Sequence, residues 1–64
     1  MSELWFYLDG ERASKAQCYE AIQKRATHID LEYAQDVFFR CIEERGDGDG
    51  ELVDYGIEIM DTES

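Results

Sequence analysis

Two stretches with helical periodicity lie back to back between two runs that read as strands, and this order most limits how the chain can fold. Leu4-Trp5-Phe6-Tyr7-Leu8 is a short apolar and aromatic run closed by Asp9-Gly10. Such residues pack well on a pleated surface, and Asp-Gly ends the run in a turn. Leu4, Phe6 and Leu8 then share one face, while Trp5 and Tyr7 point the other way as an exposed aromatic pair. Ser14 and Gln17 match a capping box, which opens a helix from about Lys15 to Thr27 with Cys18, Ala21, Ile22 and Ala26 inward. Asp30 is placed to cap a second helix from about Leu31 to Arg45. Its inward stripe is Ala34, Val37, Phe38, Cys41 and Ile42, and Gly46 is its stop. After a flexible acidic loop, Gly46-Asp47-Gly48-Asp49-Gly50, the residues Val53, Tyr55, Ile57 and Ile59 alternate with Asp54, Gly56, Glu58 and Met60. That is the period of a half-buried strand, which Gly56 can split in two. The sequence therefore predicts an α+β fold, β-α-α-β, with a two- or three-stranded antiparallel sheet packed on a helical hairpin.

A length of 64 residues allows one domain, residues 1–64, and no separate substrate domain. A chain this short buries only about 60% of its unfolded surface, so its core is thin. At 44% hydrophobic it is nevertheless too apolar to stay disordered. Neither terminal signal nor span is expected: no run of 18 apolar residues occurs, and Met1 to Leu8 lacks a cationic leader region. Cys18 and Cys41 sit on inward stripes without CxxC pairing, which fits reduced buried thiols in a cytoplasmic protein.

Charge is distributed very unevenly. Residues 1–28 hold four acids (Glu3, Asp9, Glu11, Glu20) and four bases (Arg12, Lys15, Lys24, Arg25), which sum to zero. Residues 29–64 hold twelve acids against Arg40 and Arg45, so the whole net charge of −10 falls there. A polyanionic nucleic acid or an anionic membrane surface would be repelled by such a domain. The expected partner is a basic protein surface instead.

Sites for chemistry are sparse. Asp47, Asp49 and Gly50 resemble part of a calcium loop, but the register puts Arg45 at its first position and Gly56 at its twelfth, where carboxylates are needed. His28 is the only histidine and has no triad motif around it, and there is no Gly-rich phosphate loop. No catalytic residue, metal or cofactor is expected, and the chain reads as a non-enzyme. The outward acids remain: Glu32, Asp36 and Glu43 on the second helix, Asp47 and Asp49 in the loop, and Asp54 and Glu58 on the last strand. Successive helical carboxylates would stand roughly 6 and 10 Å apart along the axis, at about 1.5 Å per residue. Trp5, Tyr7, Phe39 and Met60 are the apolar contacts that would add specificity.

A single acidic domain of this size without catalytic or metal motifs resembles the small phage-encoded inhibitors of host defence, the anti-CRISPR and anti-restriction DNA-mimic proteins. The resemblance covers the whole chain and rests on size and charge. It implies a viral inhibitor, acting in the host cytoplasm as monomer or homodimer, that occupies a basic nucleic-acid-binding surface of a CRISPR effector or nuclease with carboxylates in place of phosphates. The neutral first half implies a single interactive face. An immunity protein or antitoxin neutralising a basic nuclease toxin uses the same physics, and a small adaptor subunit is the remaining alternative.

Overall fold

The computed structural model describes residues 3–62. Strand β1 (Leu4–Leu8) is the centre of a three-stranded antiparallel sheet, with β2 (Glu11–Ala13) on one side and β3 (Ile57–Asp61) on the other. Helices α1 (Lys15–Arg25) and α2 (Leu31–Glu43) pack on one face of it, and a 3₁₀ segment (Asp49–Tyr55) fills the space between α2 and β3. The α+β architecture of a helical hairpin on an antiparallel sheet is the one the sequence predicts.

Strand β2 is an addition. Asp9 and Gly10 both have positive φ, 54° and 86°, and bridge the Leu8↔Glu11 pair. Two such central residues suit the tight hairpin turn whose twist matches the strands. Glu11-Arg12-Ala13 therefore folds straight back beside β1. The capping box forms as expected: the Gln17 amide donates to Ser14 Oγ at 3.0 Å and the Ser14 amide to Gln17 Oε1 at 2.8 Å. Asp30 takes the N-cap position of α2, but its carboxylate accepts from the Thr27 hydroxyl and caps no helical amide.

Both helices stop two residues sooner than their apolar stripes suggest. Arg45 and Gly46 adopt left-handed backbone, φ 60° and 96°, and the Gly46 amide donates to the Cys41 carbonyl. Gly46 is required there twice over, because a Cβ would also sit 2.7 Å from the Ile59 carbonyl oxygen. The acidic turn is thus held against β3 at Gly46 and Asp49, while Asp47, Gly48 and Gly50 stay in solvent as the sequence implies. Asp49 joins in: its Oδ2 accepts from the Ile59 amide at 3.3 Å. Together Gly46 and Asp49 cover the strand edge that would otherwise invite another chain.

The long terminal strand expected from the alternation starting at Val53 does not form. Leu52, off that alternation, is fully buried, whereas Val53 is 68% exposed. Burying Leu52 winds residues 49–55 into a 3₁₀ turn, and Gly56 in the left-handed region resets the chain before β3. Asp54 consequently lies on the 3₁₀ segment and not on a strand face beside Glu58.

The core is Phe38, Ile22, Leu52, Ile57, Cys18 and Cys41, all but inaccessible, with Phe6 and Tyr19 each tilted against Phe38 at 6.2 Å between ring centres. Both cysteines are free and buried. Burial pushes both thiols up; Cys41, under Asp49 and Asp47, is pushed up to about 11. One ion pair ties the corners together. Arg25, in the last turn of α1, donates to both Asp9 oxygens at 2.8 and 2.7 Å and to the Tyr55 carbonyl at 2.9 Å. It lowers the Asp9 pKa, chiefly through that hydrogen bond, and joins the hairpin turn to the end of the 3₁₀ segment.

Candidate functional site

The seven acids singled out from sequence do not form one surface. Glu32, Asp36 and Glu43 lie exposed along the solvent side of α2, with Asp47 and Asp54 exposed beyond its C-terminal end on the turn and the 3₁₀ segment. Asp49 is half-buried at the β3 edge. Glu58 alternates with buried Ile57 and Ile59 and pairs across from Tyr7, so it projects from the outer face of the sheet, away from the helices. A single interactive face therefore contains five of the seven at most.

The two faces treat their aromatics differently. On the sheet's outer face, Arg12 of β2 places its guanidinium 3.9 Å from the centre of the Trp5 ring and 5.9 Å from that of Tyr7. The exposed aromatic pair read from the sequence is capped by the chain's own cation. On the helix side, an open groove of about 580 Å³ runs along the start of α2, lined by Ile29, Glu32, Tyr33, Asp36 and Phe39. Ile29 is 89% exposed, Tyr33 57% and Phe39 44%.

Carboxylates surround this groove. Tyr33 donates its hydroxyl to Glu51 Oε1 at 2.9 Å, which brings the 3₁₀ segment up beside α2. The Tyr33 hydroxyl is pushed above the usual tyrosine value, mainly by that bond and the Glu51 charge, with Asp36 adding to the effect and Arg40 opposing it. Asp36 pairs with Arg40 one turn on, at 2.7 Å. Glu32 meets no cation among the described residues. On its far side Phe39 packs on Tyr19, 5.5 Å between ring centres, and a second, almost wholly apolar hollow lies against Lys15, Ala16 and Tyr19. Phe39 is thus a ridge between two hollows.

The chain matches no family model, no curated protein and no solved structure.

All six cations are engaged within the molecule: Lys24 with Glu20, Arg25 with Asp9, Arg40 with Asp36, Arg45 with Asp61, Arg12 on Trp5 and Lys15 near Phe39. Of the acids between residues 29 and 62 only Asp36 and Asp61 form ion pairs among the described residues. Asp30, Asp49 and Glu51 accept hydrogen bonds from Thr27, the Ile59 amide and Tyr33, and Glu32, Glu43, Glu44, Asp47, Asp54 and Glu58 are left uncompensated. Among the described residues no His, Cys, Asp or Glu side chains group to hold a metal ion, and no helix is long and apolar enough to cross a membrane. Sequence reasoning named Phe39 but missed Ile29 and Tyr33. Ile29 sits in the connector and Tyr33 off the inward stripe of α2, and only an exposed large apolar residue beside an acid hinted at either.

Proposed function

We propose that this chain is a stoichiometric inhibitor that occupies the basic nucleic-acid-binding surface of a CRISPR effector or nuclease, its carboxylates standing where phosphates otherwise bind. The observation that carries this reading is the excess of carboxylates on α2, the acidic turn and the 3₁₀ segment, where Arg40 and Arg45 are the only cations and each is already paired, with Asp36 and Asp61. Carboxylates without internal partners keep their full field for an incoming cation, whereas paired ones have already exchanged it. Glu32, Glu43, Asp47 and Asp54 meet the partner's arginines and lysines, and Asp36 joins them only in exchange for its pair with Arg40. Glu58 stays outside this contact because it projects from the opposite face. The same field accelerates encounter, so association slows as salt rises. The role is binding, not turnover.

Affinity capture from an extract of the host cell tests this reading, with duplex DNA and heparin as competing eluants. A retained nucleic-acid-binding protein that DNA releases supports it. Retention of a protein that neither polyanion displaces contradicts it, and retention of a co-encoded nuclease toxin assigns the same mechanism to an immunity protein.

A further inference from the structure

Deepening that reading, and resting on its basic partner, we propose that the groove from Ile29 to Phe39 is a docking site for a basic amphipathic helix of the partner protein. Three features select this occupant. Ile29, Tyr33 and Phe39 offer apolar and aromatic anchor area, the residue types that dominate binding where they can be desolvated. Glu32 stands unpaired among them, with Glu51 held beside Tyr33 by its hydroxyl and Asp36 paired to Arg40, so the rim stays net acidic and a segment with lysines or arginines flanking an apolar stripe is complementary, whereas an acidic one is not.

The third feature concerns backbone. The groove is walled by side chains of a helix and its connector, and no strand edge lines it. An extended peptide laid there would find no ladder of amides and carbonyls to pair with. A helix satisfies its own backbone and presents only side chains, which makes it the form that fits. From Glu32 to Phe39 the floor runs roughly 10 Å along the axis at about 1.5 Å per residue, and Ile29 extends it, so two to three turns of a partner helix are accommodated. The hollow on the sheet's outer face, beside Trp5, Tyr7 and Met60, is smaller, about 300 Å³, and Arg12 already lies on its Trp5.

The test is fluorescence anisotropy with two dye-labelled peptides of about 14 residues, long enough to form a helix on binding. One is a Leu/Lys sequence with its leucines on one helical face, and the other is a scramble of the same composition that has no apolar face. The amphipathic peptide should bind at least about tenfold more tightly than the scramble. Ile29→Ser and Phe39→Ser should each remove most of that difference, and Met60→Ser on the sheet's outer face should leave it intact. Phe39 also touches Tyr19 and Phe38, so Ile29→Ser, at a site exposed in the connector, carries the result if Phe39→Ser unfolds. Equal, salt-sensitive binding of both peptides overturns the groove while leaving a basic partner standing. Absence of binding by either overturns the groove and counts against the basic partner too. A concentration-dependent dimer that Ile29→Ser dissociates would put a second copy in the groove and overturn the proposal.

Discussion

The outer face of the sheet and the exposed side of α2 both carry large aromatics in solvent, yet only on the sheet does a cation of the chain sit closely over a ring. Arg12 lies on Trp5, so the sheet face supplies its own cation. On α2, Tyr33 and Phe39 stand beside Glu32, Asp36 and Glu51, with Arg40 paired to Asp36 and Lys15 5.9 Å from the Phe39 ring centre as the nearby cations. Exposed aromatic area alone thus does not identify a recognition surface. What separates the two faces is how closely the chain's own cation sits on a ring: 3.9 Å for Arg12 on Trp5 against 5.9 Å for Lys15 on Phe39.

Both faces depend on one residue behind them. Phe38 touches Phe6 of the sheet and Tyr19 and Phe39 of the helix side. Phe38→Ala should cost about 3 to 5 kcal/mol by urea denaturation and degrade both faces together. If α2 loses its native spectrum while the sheet keeps its own, the two layers do not share a core.

Charge reversal separates the faces. Glu32→Lys, Glu43→Lys, Asp47→Lys and Asp54→Lys combined should weaken partner binding at least about a hundredfold, since close interfacial charge pairs couple by about 1.5 to 7 kcal/mol each. The melting temperature should hold or rise, because these acids have no internal ion pair to lose. Reversing Glu3, Glu11 and Glu20 should produce only a small, salt-sensitive loss. The opposite ranking would move the contact to the neutral half.

The acidic turn can be tested through pH. Cys41 holds its proton to about 11 in the folded chain against 9.0 for an unperturbed thiol. The unfolded chain therefore ionises first, so the stability this thiol contributes is complete below pH 9.0 and is lost as the pH rises toward 11. Cys41→Ala should flatten that alkaline loss, and Asp47→Asn should reduce it, as judged from urea midpoints across the range. No change on Cys41→Ala would mean that other groups set the alkaline limit. Smaller still is the effect of Arg12→Ala, about 0.5 to 1 kcal/mol for an exposed cation–π contact. Trp5 emission should shift to the red while partner binding stays as it was.

Much of this was legible in the sequence because local signals and burial agree there. The Ser14/Gln17 box, the inward stripes through Ile22 and Phe38, and both buried cysteines follow from spacing alone. Strand β2 escaped because Glu11-Arg12-Ala13 has no apolar alternation, and only Asp9-Gly10 announces its hairpin. The terminal strand was overextended because Val53 and Tyr55 share the parity of Ile57 and Ile59, while the decisive residue, Leu52, lies one step out of phase and is buried. The acids were visible as composition. Their division between faces was not, since it depends on where β3 begins, and the groove depends on how the connector at Ile29 meets α2.

The distinction between the faces is tested most directly by ¹⁵N NMR, titrating the labelled protein with the amphipathic Leu/Lys peptide. Amide shifts should concentrate at Ile29, Tyr33 and Phe39, while the Trp5 indole N–H and the Met60 amide stay in place. Movement of Trp5 and Met60 with Ile29 and Phe39 unmoved would put recognition on the sheet and contradict the assignment to α2.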